Sequence, residues 1–349
     1  MKQPWIKNAS FDGLYVLAPP FLALLVVYLL PDRFKTTDEM PVAGWVILVL
    51  LVDVAHVYST LFRTYFNKSR FQQQRSLFIL VPIACYVVGV LVHYTSGLWF
   101  WRGLAYLAVF HFVRQQYGLM RIYSRSESVP SWSKWLDTVV IYVATVYPIL
   151  WWHLTPDRNF NWFVDGDFVQ RESVTLKAAC TTLYVLFLIL YFAKEIWLYS
   201  RSRWINWPRN LLIIGTLVSW YFGIIQFNGD LAFTMLNVLS HGVPYLALIW
   251  IHDRPRKPLI NRVAFLHNGL SVRQSWIIFF GLVSILAYLE EGLWDGLVWR
   301  DHATVFGLFM SLPKVTDNQA LALLVPLLAL PQMTHYVLDG FIWRRIRNV

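Results

Sequence analysis

Four histidines stand inside apolar runs of this chain, each on a different run: His56 (DVAHVYSTLFR), His111 (VFHFVRQQYG), His241 (NVLSHGVPYL) and His335 (PQMTHYVLDGFIWRR). Imidazole is the commonest metal ligand of proteins, and a charge-capable ring in lipid is costly enough to be read as functional. Polar neighbours recur at helical spacing. Asp53 precedes His56 by three residues, Gln115 follows His111 by four, Asp339 follows His335 by four, and Asn237, His241 and Tyr245 form an i, i+4, i+8 stripe. Residues three or four apart share a helix face. A carboxylate or amide beside a histidine fixes its tautomer and aims the other ring nitrogen, as a metal ligand requires. His56, His111, His241 and His335 are therefore the expected ligands. Asp53, Gln115, Asn237, Tyr245 and Asp339 are the expected supporting or catalytic groups.

A donor set of imidazoles with an occasional carboxylate or amide suits iron, zinc, copper or manganese. Structural zinc would recruit cysteine, and the only two, Cys85 and Cys180, lie in unrelated apolar runs where they read as packing residues. Iron is the preferred metal, because activated dioxygen is the reagent that attacks a lipid hydrocarbon; zinc-assisted hydrolysis is the other chemistry the donors allow. HxxxH, HxxHH and HEXXH do not occur, so the ligands would come one per helix.

With its histidines spread one to a helix, the chain resembles the Brp/Blh family of membrane-bound carotene dioxygenases. The resemblance implies an iron-dependent oxygenase acting on a lipid-soluble molecule. It matches no motif residue by residue, so it implies no ligand assignment. The phrases DVAHVYSTLFRTY and THYVLDGFIWR look like signatures of a bacterial membrane-protein family, which implies the bacterial inner membrane. Two alternatives stand beside the oxygenase. His241 in SHG, with Asn206 and Asn210 upstream, is similar to the Asn/Asp and His pair of MBOAT acyltransferases, with Ser240 where that family has Trp. A transporter or a bis-histidine haem protein is the third reading.

The elements that must position these residues follow from composition. The 349 residues are 57% hydrophobic and 14% charged, far from soluble domains. Apolar runs of helical length recur throughout without the two-residue alternation of barrel strands, which predicts an all-α, polytopic transmembrane bundle forming one integral-membrane domain over 1–349. Ten spans are expected, at roughly 13–30, 43–62, 77–97, 99–118, 136–153, 175–199, 209–227, 231–251, 275–294 and 319–341. The basic start, MKQPWIKNASFDGLY, has no cleavage site after the first apolar run and reads as leading into a retained helix.

Lys and Arg alternate between connections. Lys2, Lys7, Arg63, Lys68, Arg70, Arg75, Arg121, Arg125, Lys134, Arg201, Arg203, Arg209, Arg254, Arg256, Lys257, Arg262, Arg273, Arg344, Arg345 and Arg347 fall on one side, which predicts both termini in the cytoplasm. The +10 net charge then belongs to cytoplasmic loops facing anionic lipid rather than to nucleic-acid binding. Expected partners are the bilayer and a lipophilic small molecule. His93, His153, His267 and His302 fall at interfaces or in loops, and Glu290, Glu291 and Asp295 read as an outer helix end.

Overall fold

In the computed structural model the described residues are 2–254 and 271–343. Arg256, Lys257, Arg262, His267, Arg344, Arg345 and Arg347 lie outside them. Among the described residues every long element is a helix and none is a strand. The helices are α1 (Ala9–Leu17), α2 (Pro19–Leu29), α3 (Val42–Arg63) and α4 (Arg75–Thr95). They continue as α5 (Gly97–Tyr123), α6 (Ser131–His153), α7 (Val174–Ser202) and α8 (Trp207–Gln226). The last are α9 (Asp230–Asp253), α10 (Val272–Trp299), α11 (Asn318–Leu328) and α12 (Leu330–Ile342).

Seven of these, α3, α4 and α6 to α10, are long and apolar enough to cross a membrane. The count rises to nine if the pairs α1–α2 and α11–α12, bent by 49° and 43°, each form one span. Length and apolarity on this scale are those of a multi-pass membrane protein. Proline accounts for the bends: Pro19 and Pro20 open α2, and Pro331 sits in the first turn of α12, where a missing N–H costs least. The expected fourth span, 99–118, forms α5, but Arg102, Arg114 and Arg121 leave this helix outside the apolar set.

The chain divides into two compact units, with boundaries inside α5 and α9. One comprises Met1–Pro41 and Phe112–Pro244. Here α8 packs on α1, α2 and α6, and α6 packs on α7. Gly215 lets α8 approach α2: a Cβ there would stand 2.7 Å from the Pro20 ring. Small residues at such crossings replace the hydrophobic drive that lipid does not supply. On α7, Leu183, Leu186, Ile189, Leu190 and Ile196 are exposed, a face suited to acyl chains. The connection after α6 is tied down by Arg158, which donates to the carbonyls of Ile224 and Phe227 at 2.6 Å each. Burial lowers this guanidinium to about 10.

The other unit comprises Val42–His111 and Tyr245–Val349. In it α4 packs on α11 and α12, while α3 packs on α10 and α12. Its core joins Leu50, Val54 and Phe62 of α3 to Tyr245, Ile249, Phe279, Val283 and Phe306. Helix α3 is wound as a π-helix over Val46–Val54 and returns to α-geometry at Ala55, one residue before His56. Such wide turns recur at functional sites because they re-aim the side chains that follow.

Candidate metal centre

In the second unit, α3, α5 and α12 bring three imidazoles together. His56, His111 and His335 are 0%, 2% and 2% exposed. Nε2 of His111 lies 3.1 Å from Nε2 of His335. The His56 ring centre is 4.9 Å from that of His335 and 6.4 Å from that of His111. One ring nitrogen from each of the three lies within 4.8 Å of the others. Bonds of about 2.0–2.1 Å place nitrogens on a tetrahedral ion about 3.3 Å apart, so the His111–His335 pair already has a ligand's spacing. The widest pair needs to close by less than about 1.5 Å to fit the same ion. These buried histidines could hold a metal ion.

The opposite ring nitrogens face polar side chains. Nδ1 of His111 lies 3.3 Å from Oδ2 of Asp339, Nδ1 of His335 lies 2.7 Å from Oγ1 of Thr60, and Nδ1 of His56 lies 3.6 Å from Oδ1 of Asp53. A carboxylate beside one ring nitrogen of a histidine is the kind of partner that turns the other nitrogen toward a metal. Asp339 also accepts from Nε1 of Trp343 at 2.5 Å. The Tyr245 hydroxyl lies 2.9 Å from Thr60 Oγ1. Beyond Trp343, the Arg63 guanidinium sits 4.0 Å over the indole and pairs with Asp253 at 2.5 Å.

Several expectations are corrected by this geometry. Asp339 serves His111 of another helix rather than His335 on its own. Arg63 pairs with Asp253, and Arg114 donates to Tyr142 at 2.8 Å. Gln115 donates to the His241 backbone carbonyl at 3.0 Å instead of attending His111. Asn237 donates to Phe233 O at 2.9 Å, its own helix's backbone. Glu290 is buried near the end of the α-wound part of α10, which Asp295 caps.

The other histidines are placed as follows. His241 belongs to the first unit, where its ring stacks on Phe112 at 3.6 Å and 11°. His302 stacks on Trp45, and His153 is hydrogen-bonded to Ile149 O.

Thr60 and Trp343 do not stand out in the sequence as chemistry-bearing residues. Both carry a spacing signal all the same, since Thr60 follows His56 by four residues and Trp343 follows Asp339 by four. A second cluster is absent from the sequence-based expectations altogether. In the first unit Arg209 reaches Glu127 at 2.9 Å, Asp137 at 3.1 Å and also Glu195. Lys194 pairs with Asp137 and with Glu195. Asn206 donates to Glu127, while Asn210 donates to Glu195 and accepts from Tyr191, so both asparagines of the acyltransferase reading are engaged in this network. Burial pushes the Glu127 carboxyl, in the connection between α5 and α6, above its ordinary value against the pull of Arg209.

Compared with protein-family models, curated proteins and solved structures, the chain matches none.

Proposed function

We propose that the protein is a membrane-embedded, metal-dependent oxidoreductase in which His56, His111 and His335 ligate non-haem iron and a lipophilic substrate is oxygenated. The observation that carries this reading is the convergence of three buried imidazoles whose rear nitrogens face a carboxylate, a hydroxyl and a second carboxylate. Such second partners raise ligand basicity and fix ring orientation at metal centres. Three nitrogen donors leave coordination positions for dioxygen or substrate, whereas a structural site would be closed. The absence of cysteine from the cluster favours iron over structural zinc, and the apolar surroundings favour a substrate that partitions into lipid.

The same reading assigns topology. The alternation of basic connections requires α5 to cross as a tenth span, with both termini cytoplasmic. Its 27 residues amount to about 40 Å, enough to do so. The basic loops then meet the anionic leaflet of the bacterial inner membrane. Thiol labelling of single cysteines at Lys7 and Lys134 from the outer face tests this; modification of either in sealed cells contradicts it.

The functional test is spectroscopic. Anaerobic protein loaded with ferrous iron and exposed to nitric oxide is expected to give the half-integer-spin resonance of a ferrous nitrosyl, which reports an open position at the metal. Iron-loaded protein that gives no such signal, and consumes no dioxygen with membrane lipid extracts, rejects the oxygenase. The His241→Ala variant enters this test separately: retention of the signal limits the ligands to three histidines.

A further inference from the structure

We infer that a line of carboxylates along α10 and α3 is the path by which a divalent metal ion enters the histidine centre, with Glu290 as its buried station. The inference rests on the metal-centre reading and extends it to how the ion arrives.

Helices α3 and α10 pack antiparallel within the second unit. Phe62 meets Phe279 with ring centres 4.8 Å apart, and Leu50 and Val54 share a core with Val283 and Ala287. Glu290 and Glu291 follow Ala287 by three and four residues, so they continue the same face of α10 and come within about one turn of Asp53. Glu291 lies in the electrostatic reach of Glu290, Asp53 and Asp295. At one end of the line Nδ1 of His302 is 4.0 Å from Oδ1 of Asp295. At the other, Oδ1 of Asp53 is 3.6 Å from Nδ1 of His56. Each member is a side chain that binds metals.

What marks the line as a path for cations is that the protein supplies it with no counter-charge. Glu290 is 5% and Asp295 3% exposed, yet neither oxygen of Glu290, nor Oδ2 of Asp295, accepts a hydrogen bond. Tyr58 and Trp294 stand near Glu290 without bringing a donor into hydrogen-bond geometry. Among the described residues no lysine or arginine pairs with any of the four carboxylates; their ion-pair partners are His56 and His302. An ionisable side chain within a membrane span marks an ion pathway by default, and an acidic lining concentrates cations. Among the described residues the carboxylates do not gather three donors about one point, as the imidazoles do, so each is a weak station. Oxygen donors suit calcium and magnesium, whereas imidazoles suit iron and zinc. A transition ion is therefore passed inward to the histidines, and calcium stays on the carboxylates.

The test follows zinc uptake by metal-free, full-length protein in detergent. Glu290→Gln is expected to slow both uptake and release to a chelator by about 10-fold or more, the scale of electrostatic focusing, while one ion is still bound at saturation. Glu290→Asp should restore most of the rate. Millimolar calcium should slow uptake by the wild type and not by Glu290→Gln. Equal rates in the wild type and Glu290→Gln overturn the path, as does a wild type indifferent to calcium. Infrared difference spectra separate this outcome from failure of the centre. In His111→Ala, zinc should still shift the Glu290 carboxyl bands, identified by their absence from Glu290→Gln. Wild-type protein that retains no zinc while those bands shift defeats the centre and keeps the carboxylate station; bands that zinc leaves unmoved defeat the path.

Discussion

Each unit of this protein buries a polar cluster, and the two clusters solve opposite problems. In the first unit Arg209 and Lys194 are surrounded by Glu127, Asp137 and Glu195, with Asn206, Asn210 and Tyr191 completing the hydrogen bonds. Opposite charges meet directly, so the network is its own counter-ion. In the second unit three imidazoles converge on one another, with polar side chains behind them. The first arrangement pairs its charges internally. The second brings ring nitrogens of separate helices within reach of a single ion. Burial and polarity alone do not mark a ligand site; the direction in which donors and acceptors point does.

That contrast predicts separable losses. The largest concerns His111→Ala: it is expected to abolish stoichiometric metal while leaving helix content unchanged, as read by elemental analysis and circular dichroism. Loss of fold with loss of metal would make the histidines structural and erase the distinction. Arg209→Ala should do the reverse. Removing the cation leaves Asp137 and Glu195 to Lys194 and takes the guanidinium from Glu127, a cost of about 3–5 kcal/mol in unfolding free energy. Metal content per folded molecule should not change; loss of metal from the folded fraction would tie the two clusters together.

A smaller effect is expected from Asp339→Asn, which keeps the shape but replaces an acceptor-only group with one that can donate. Metal affinity should fall about 10–100-fold, measured by chelator competition, with stability nearly unchanged. The smallest concerns Glu127. Its proton is bound more tightly in the folded than in the unfolded chain, because burial raises the carboxyl above its ordinary 4.5. The stability this contributes is present at acid pH and is lost as pH climbs from 4.5 through the raised value. Glu127→Gln should flatten that part of the melting profile without touching metal binding, and an unchanged profile would place the proton elsewhere.

Helical class and the membrane-length runs were legible in the sequence, because apolar length survives any choice of tertiary packing. The π-winding of α3 and the bends at Pro19, Pro20 and Pro331 displaced boundaries without hiding spans. Span number was harder: α5 mixes Arg102, Arg114 and Arg121 into its apolar face and reads differently by charge alternation and by hydropathy. Three histidines of the cluster were visible as polar groups in apolar runs. Their partners were half visible. Asp53 stands 3.6 Å from His56 on one helix face, while Asp339 crosses to His111, a tertiary choice that spacing along one helix cannot reveal. The Arg209 network was readable in principle from WLDTVV and YFAKEIW, where charges interrupt apolar runs. Its members lie on four separate segments, however, and only the fold shows which carboxylates face which cation.

Elemental analysis of detergent-purified wild-type protein beside His56→Ala, His111→Ala and His335→Ala bears on the centre most directly. A single transition-metal ion per wild-type chain, lost from all three variants while each keeps its helical spectrum, is the expected outcome. Metal-free wild-type protein that takes up no iron or zinc on reconstitution would contradict it and reduce the three imidazoles to hydrogen-bonded packing.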